Sequence, residues 1–497
     1  PELLNLDRPE LITSVHKAYV DAGSQIVYAN TFGANSYKMA ETGKTVDELI
    51  SAAIKNARKA AGDKALVALD VGPIGQLLEP TGTLKFEEAY DYFKEEMLAG
   101  KDADVIVIET MTDLYEAKAA LLAAKENTDL PVIVTMTFEQ NLRTFTGCSV
   151  GAMALTLEGL GADAVGVNCS LGPREFAPII EELSKWTKLP IVAKPNAGLP
   201  NPVTNEYDVT PEEFAESAAK LVKYGIKLTG GCCGTNPDYI RALKKALSPL
   251  RYEKNTPMCE AAVCSAEKVV VINQPRIIGE RINPTGKKLF KEALRKGDID
   301  YILGQAIEQS QAGAEILDVN VGLPEIDEKA MMVRTVKALQ GVTDLPLQID
   351  STIPEVIEAA LRVYNGKAIV NSVNGETGSM EKILPIVKKY GAAVVGLTLD
   401  EEGIPKTAEK RFEIAERIMN KAVEMGIPKK DIFIDCLTLT ASAEQANVMK
   451  TVEALHRVKT ELGLKTVLGV SNISFGLPNR ELINCNFLQM CLTNGLD

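Results

Sequence analysis

The chain has 497 residues, 46% of them hydrophobic and 24% charged, which is too long for one compact core and sized for two large domains. Its 54 basic and 67 acidic residues sum to −13 without a long run of either sign, which argues against nucleic acid or a membrane surface as partner. No apolar stretch approaches the roughly eighteen residues of a transmembrane helix, and PELLNLDRPE has the features of no secretion signal. Nine cysteines are too few for a disulfide scaffold, so the expectation is a cytoplasmic protein with reduced thiols.

Taken in chain order, the sequence repeats a short apolar run, a polar tip and an amphipathic helical stretch. The runs are 24–32, 64–73, 103–111, 131–138, 162–170, 190–198 and 226–234, with helical spacing in segments such as LYEAKAALLAAKEN between them. Apolar runs without alternation suit strands buried on both faces, hence parallel strands crossed over by helices. Residues 247–268 (LSPLRYEKNTPMCEAAVCSAEK) are polar and aperiodic and read as a linker between domains 1–246 and 269–497. The rhythm resumes at 276–282, 314–322, 345–352, 368–375, 392–400, 431–439 and 465–476. The expected fold is two consecutive (β/α)8 barrels of the TIM type, the first without its opening strand and the second without its closing one. Two open doubly wound sheets would need no missing strands, but the element spacing favours barrels.

In such barrels the working residues lie at the C-terminal strand ends. The first ring holds Asn30 and Thr31, Asp70, Glu109 and Thr110, Asn168 and Cys169, Asn196, and Cys232 with Cys233. Its three thiols end two strands separated by one other, which brings them across one barrel mouth. Three thiolates with an open fourth position form a catalytic zinc arrangement, and the glycines at 230, 231 and 234 let adjacent cysteines face one ion. Adjacent cysteines can also be plain core fillers. Only His16 and His456 exist, both in helical segments away from any strand tip, which argues strongly against a histidine zinc site or a Ser-His-Asp triad. Zinc bound by three thiolates is a poor activator of water and a good holder of a substrate thiolate, which points to alkyl transfer onto sulfur.

The second ring holds Glu280 and Asn283, Asp318 and Asn320, Asp350, Asn371, Asp435, Asn472 and Arg480. Strand after strand ending in Asp or Asn suits a polar pocket for a planar heterocycle such as a pterin, although such residues also cap helices. Cys148, Cys259, Cys264, Cys436, Cys485 and Cys491 read as ordinary thiols, Cys436 lining the pocket beside Asp435.

With GGCCGT, NCSLGP and PNAGLP in the first half, and GERINPTG, LDVN, NSVNG and SNISFGLPNR in the second, the chain resembles the cobalamin-dependent methionine synthase family. The resemblance is to its N-terminal homocysteine and folate modules and runs over nearly the whole chain. It implies homocysteine bound on zinc through Cys169, Cys232 and Cys233, with Asn196 beside the metal and filling its open position before substrate arrives. Asn30, Thr31, Glu109 and Asn168 are then the homocysteine-binding residues. Glu280, Asn283, Asp318, Asn320, Asp350, Asn371, Asp435, Asn472 and Arg480 are the methyltetrahydrofolate-binding ones. Asn472 and Asp435 take the catalytic roles, the first stabilising a proton that reaches N5 through water and the second orienting the pterin.

The sequence departs from the family pattern at three places. The opening DGAMGT-like strand and the closing strand of the folate barrel are absent, and there is no D-x-H-x-x-G cobalamin motif. Cobalamin is therefore expected on a domain or a corrinoid protein outside this chain. The rival readings are a homocysteine methyltransferase fused to a methylenetetrahydrofolate reductase, which would be yellow, and a non-catalytic folate-binding module of a corrinoid complex, which would lack zinc.

Overall fold

The computed structural model describes residues 1–497 except Pro202, Asn205 and Cys259, so the expectation for Cys259 lies outside the described residues. The chain divides after Met258 into two compact units.

In the first unit the strands are β1 (Ile26–Tyr28), β2 (Leu66–Val71), β3 (Val105–Met111), β4 (Val132–Met136), β5 (Ala164–Asn168), β6 (Ile191–Lys194) and β7 (Ile226–Thr229). Each lies inside one of the apolar runs. All are parallel and hydrogen-bonded in chain order, with a helix crossing over between most neighbours. Ala68, Val105, Val107, Ile133, Ala164 and Val192 fill the inside of the curl. The helices start where the sequence supplies caps. Thr45 and Glu48 form a reciprocal capping box before Val46–Ala61, and Thr210 and Glu213 form another before Pro211–Leu221. Helix Leu114–Asn127 is buried from Leu114 to Ala124, because its alanines let it sit close between its neighbours.

The second unit opens with a hairpin, β8 (Ala262–Ser265) and β9 (Val269–Val271), before β10 (Ile278–Ile282), β11 (Ile316–Val319) and β12 (Leu347–Asp350). The short β13 (Gly366–Lys367) follows, then β14 (Ile369–Asn374), β15 (Ala393–Leu397), β16 (Ile432–Asp435) and β17 (Lys465–Val467). Seven of these form a parallel sheet in the order β10-β11-β12-β14-β15-β16-β17, and β13, β8 and β9 form a separate small sheet. Each unit is thus a curled parallel α/β sheet of the TIM-barrel type, one strand short.

Reading 247–268 as linker throughout needs correction. Residues 248–258 are irregular, but Ala262–Ser265 is a strand of the second unit. Val263 and Val270 pack with Ile316, Ile369, Ala393 and Phe433, at or near the starts of four barrel strands. The hairpin therefore plugs the N-terminal mouth, which leaves the C-terminal mouth for polar residues. Its pairing with β13 needs Gly366, where a Cβ would stand 2.2 Å from the Cys264 carbonyl oxygen. Among the described residues no helix is long and apolar enough to cross a membrane.

Candidate functional site

At the C-terminal end of the first sheet, Cys169 and Ser170 leave β5 with φ of 63° and 59°, a left-handed turn costing about 1–3 kcal/mol per residue. It carries the Cys169 thiol toward the glycine-flanked loop after β7, and its Sγ stands 3.8 Å from that of Cys233. The sulfurs of Cys169, Cys232 and Cys233 all lie within 4.8 Å of one another. Three sulfurs bound tetrahedrally at about 2.3 Å to one zinc would be spaced by about 3.8 Å, so the cluster fits the ion. The donor chemistry fits as well. A thiol hydrogen bond from Cys232 draws Cys169 down to about 6 against its own burial, with the Ser170 amide, Cys233 and Asn196 assisting. Giving that bond, then burial and the Cys169 charge, push Cys232 up, and burial and Cys169 do the same to Cys233. One thiol ionises at neutral pH, and a bound cation is what would hold all three as thiolates.

The frame around the cluster is hydrogen-bonded backbone. The Cys232 amide donates to the Pro195 carbonyl at 2.9 Å, and the Cys233 amide donates to Asn196 Oδ1 at 3.1 Å. Asn196 is buried and its carbonyl oxygen is occupied by that bond, so it props the loop next to the thiols. Gly234, at φ 80°, has the Tyr207 ring against it, where a Cβ would come within 2.4 Å of a ring carbon. Asn168 is fully buried. Its Oδ1 accepts from the Thr110 amide and the Thr135 hydroxyl, and its Nδ2 donates to Thr110 Oγ1 and faces Cys232 Sγ at 4.0 Å.

Beside the thiols, Glu109 and Lys194 form a buried ion pair, with the ammonium 4.2 Å from the Tyr28 ring centroid. Asp70 lies in the same pocket. Burial and then the Glu109 charge raise its carboxyl well above the ordinary range, and its Oδ1 has no partner among the described residues. Thr31 is locked to the Asp70 backbone, donating to its carbonyl at 2.7 Å and accepting its amide at 3.0 Å. The Asn30 side chain donates to Pro1 O and Asn5 Oδ1. Thr31 therefore spends its hydroxyl, and Asn30 its amide nitrogen, on the scaffold.

In the second unit, neighbouring strand ends share one polar network. Asp318 Oδ1 accepts from Gln348 Nε2 at 2.5 Å and from Asn371 Nδ2 at 3.5 Å. Asn320 Nδ2 donates to Asp350 Oδ2 at 2.9 Å. Burial, followed by the Asp350 charge, lifts Asp318 well above the usual carboxylate range. Burial also raises Asp350, against hydrogen bonds from Asn320 and from Asp318 itself. Asp435, at the end of β16, is raised to about 6, mainly by burial, while the Leu437 amide and the Arg411 charge pull the other way.

The remaining expected residues make no hydrogen bond to this network among the described residues, although the Glu280 charge helps to raise both Asp350 and Asp318. Asn283 Oδ1 accepts the Thr285 amide and shapes its own turn. Glu280 is exposed and stands 3.8 Å from Lys287. Asn472 is exposed in the turn Val470–Ser474 after β17. Arg480 clamps that turn through Ser474 Oγ at 3.0 Å and the Ser471 carbonyl at 3.1 Å. Cys436 does not line the cup, since its thiol is fully buried.

Residues 1–247 match the family model of homocysteine S-methyltransferases, and residues 279–497 match that of pterin-binding enzymes. The chain belongs to both families, one in each unit. Methionine synthases of Mycobacterium leprae and Mycobacterium tuberculosis are each 34% identical to it over its whole length. The chain spans 44% of the length of those curated relatives. The crystal structure of a homocysteine methyltransferase from Escherichia coli in its oxidised form is 24% identical, covering 49% of this chain and 86% of that one with a TM-score of 0.44.

Within the homocysteine S-methyltransferase unit, sequence reasoning passed over Lys194, Tyr28, Tyr207 and Thr135. A lysine ending the otherwise apolar strand IVAK was the available signal, because a buried cation needs a carboxylate and Glu109 ends a nearby strand. In the pterin-binding unit Gln348 was missed for a similar reason. It precedes Asp350 by two positions, so both side chains leave the same face of β12.

Proposed function

We propose that the chain moves the methyl group of 5-methyltetrahydrofolate to homocysteine by way of a cobalamin carrier, giving methionine and tetrahydrofolate in the cytoplasm. The carrier would be a cobalamin-binding domain or corrinoid protein outside these 497 residues. The observation that carries the reading is a three-thiol cluster in a homocysteine S-methyltransferase unit, joined in one chain to a pterin-binding unit.

Zinc held by Cys169, Cys232 and Cys233 would bind the substrate thiol and keep it ionised at neutral pH. Around it the chain's own residues position and orient. Asn168 steers Cys232, and Asn196 fixes the amide of Cys233. Glu109 offers a partner to the substrate ammonium and Lys194 one to its carboxylate, each exchanging part of their mutual pairing for the ligand's. In the other unit, Asp318, Asn320, Asp350 and Asn371 would receive the donor edge of the pterin. Asp435 would orient its ring, with Asn283, Glu280 and Arg480 at the rim. A tertiary amine leaves only when its nitrogen gains a proton, and Asn472, exposed after β17, would stabilise a water-borne proton at N5.

The test uses the full chain with zinc, homocysteine and added methylcobalamin, alongside a separate binding assay with 5-methyltetrahydrofolate. Cys233→Ala should abolish homocysteine methylation and leave methyltetrahydrofolate binding intact. Equal loss of both activities would refute the two-site reading.

A further inference from the structure

Arg411, on helix Ala408–Glu424, is fully buried, and among the described residues no carboxylate lies within ion-pair distance of it. Its Nη1 alone, sharing two hydrogens among three acceptors, faces the carbonyls of Cys436 at 2.8 Å and Leu437 at 3.1 Å and Thr451 Oγ1 at 2.7 Å. Its Nε donates to the Pro405 carbonyl at 3.0 Å. Through Nε and Nη1 the planar guanidinium thus joins the loop before its own helix, the helix Val448–Arg457 and the outgoing tip of β16. Thr451 completes the clamp by donating to the Leu437 carbonyl at 3.1 Å.

The clamped tip is an unusual one. Leu437 has φ of 60°, a conformation a leucine adopts only when its surroundings impose it. In that conformation its amide donates to Asp435 Oδ1 at 2.7 Å. We propose that Arg411 is the positioning residue of the pterin cup, its buried guanidinium fixing the Asp435–Leu437 tip and so aiming the Asp435 carboxylate. The proposal rests on the pterin-binding reading of that cup.

A brace alone does not account for a cation here. Burying a guanidinium without a carboxylate partner is costly, and Arg411 Nη2 is left without a hydrogen-bond partner. The ionisable groups around it are Cys436, Asp435 and Glu444. Asp435 itself is influenced by burial, the Leu437 amide and Arg411. The positive charge therefore favours the ionised form of the one carboxylate that its hydrogen bonds also place.

The experiment follows Asp435 by carbon NMR in the full chain labelled at the aspartate carboxyl, its signal assigned by loss in Asp435→Asn. The affinity for 5-methyltetrahydrofolate is read in parallel. The parent should titrate near 6. Arg411→Met should raise that midpoint by about one unit and weaken binding at least about tenfold. Arg411→Lys, which keeps the charge and loses the Nε contact and the planar geometry, should hold the midpoint within about half a unit yet still weaken binding. An unmoved midpoint in Arg411→Met, or unchanged affinity in both variants, overturns the proposal. If Arg411→Met does not fold, unchanged affinity in Arg411→Lys overturns it. A parent chain that binds no 5-methyltetrahydrofolate removes the pterin reading instead, and the Asp435 titration still decides the role of Arg411.

Discussion

Asn168 Nδ2 faces Cys232 Sγ across 4.0 Å, so an amide buried at the end of β5 addresses a thiol carried by the loop after β7. The same side chain holds Thr110 and Thr135, which fixes its orientation before any ion or substrate arrives. Asn168→Asp keeps the shape and the two accepted hydrogen bonds but sets a carboxylate against the thiol. Zinc affinity, measured by chelator competition, should fall at least about tenfold with little change in melting temperature. Asn168→Ala should instead destabilise the unit by about 1–3 kcal/mol, because the Thr110 amide and Thr135 hydroxyl lose a buried acceptor.

Metal removal should leave unequal thiols. Cys169 is drawn down to about 6 and its two neighbours are pushed up, so above pH 6 the thiolate sits on Cys169. Iodoacetamide labelling followed by peptide mapping should show Cys169 reacting first within the cluster at pH 7 and slowing as the pH drops below 6. Added zinc should protect all three. Equal rates at the three cysteines would remove the proposed asymmetry.

Asp70 presents the opposite case, a carboxylate held where its charge is unwelcome. Its folded value is raised above the unfolded one, first by burial and then by Glu109. The stability it contributes is therefore full below the unfolded value near 4 and lost as the pH rises toward the folded one. Asp70→Asn should raise the melting temperature, and by more at pH 8 than at pH 4.5. A uniform shift across that range would show that charge is not the cause.

The strand runs were legible because parallel strands buried on both faces leave unbroken apolar stretches, and all fourteen barrel strands fall inside them. The cysteines were legible because glycine flanks and strand-end positions are local features. What the sequence hid is pairing. Nothing local says that Thr31 is committed to the Asp70 backbone, or that Lys194 meets Glu109, since each pair is brought together only by the curl of the sheet. The hairpin at 262–271 was hidden differently, because its strands are only four and three residues long and follow a polar stretch.

That hairpin should matter to the pterin-binding unit as a core element. Val263 is fully buried against the barrel strands. Val263→Ala should cost about 1–3 kcal/mol of that unit's stability, read as a lower denaturant midpoint, with zinc content unchanged. A midpoint equal to the parent's would return the segment to the status of a tether.

Asp318 and Asp350 of the pterin cup should not be equivalent. Burial raises Asp318 well above the ordinary range, and its hydrogen bond lowers Asp350 against that residue's own burial, so Asp318 is expected to be the donor of the pair and Asp350 the acceptor. An amide reproduces a neutral donor. Asp318→Asn still offers an oxygen to Gln348 and Asn371 and an N–H to Asp350, so affinity for 5-methyltetrahydrofolate at pH 7 should stay within about threefold of the parent. Asp350→Asn removes the charge that Asn320 supports, and affinity should fall at least about tenfold. Asp350 is also raised, so parental binding should weaken as the pH drops, and that dependence should flatten in Asp350→Asn. If Asp318→Asn proves the more damaging change, the proton sits on Asp350 and the assignment of donor and acceptor is reversed.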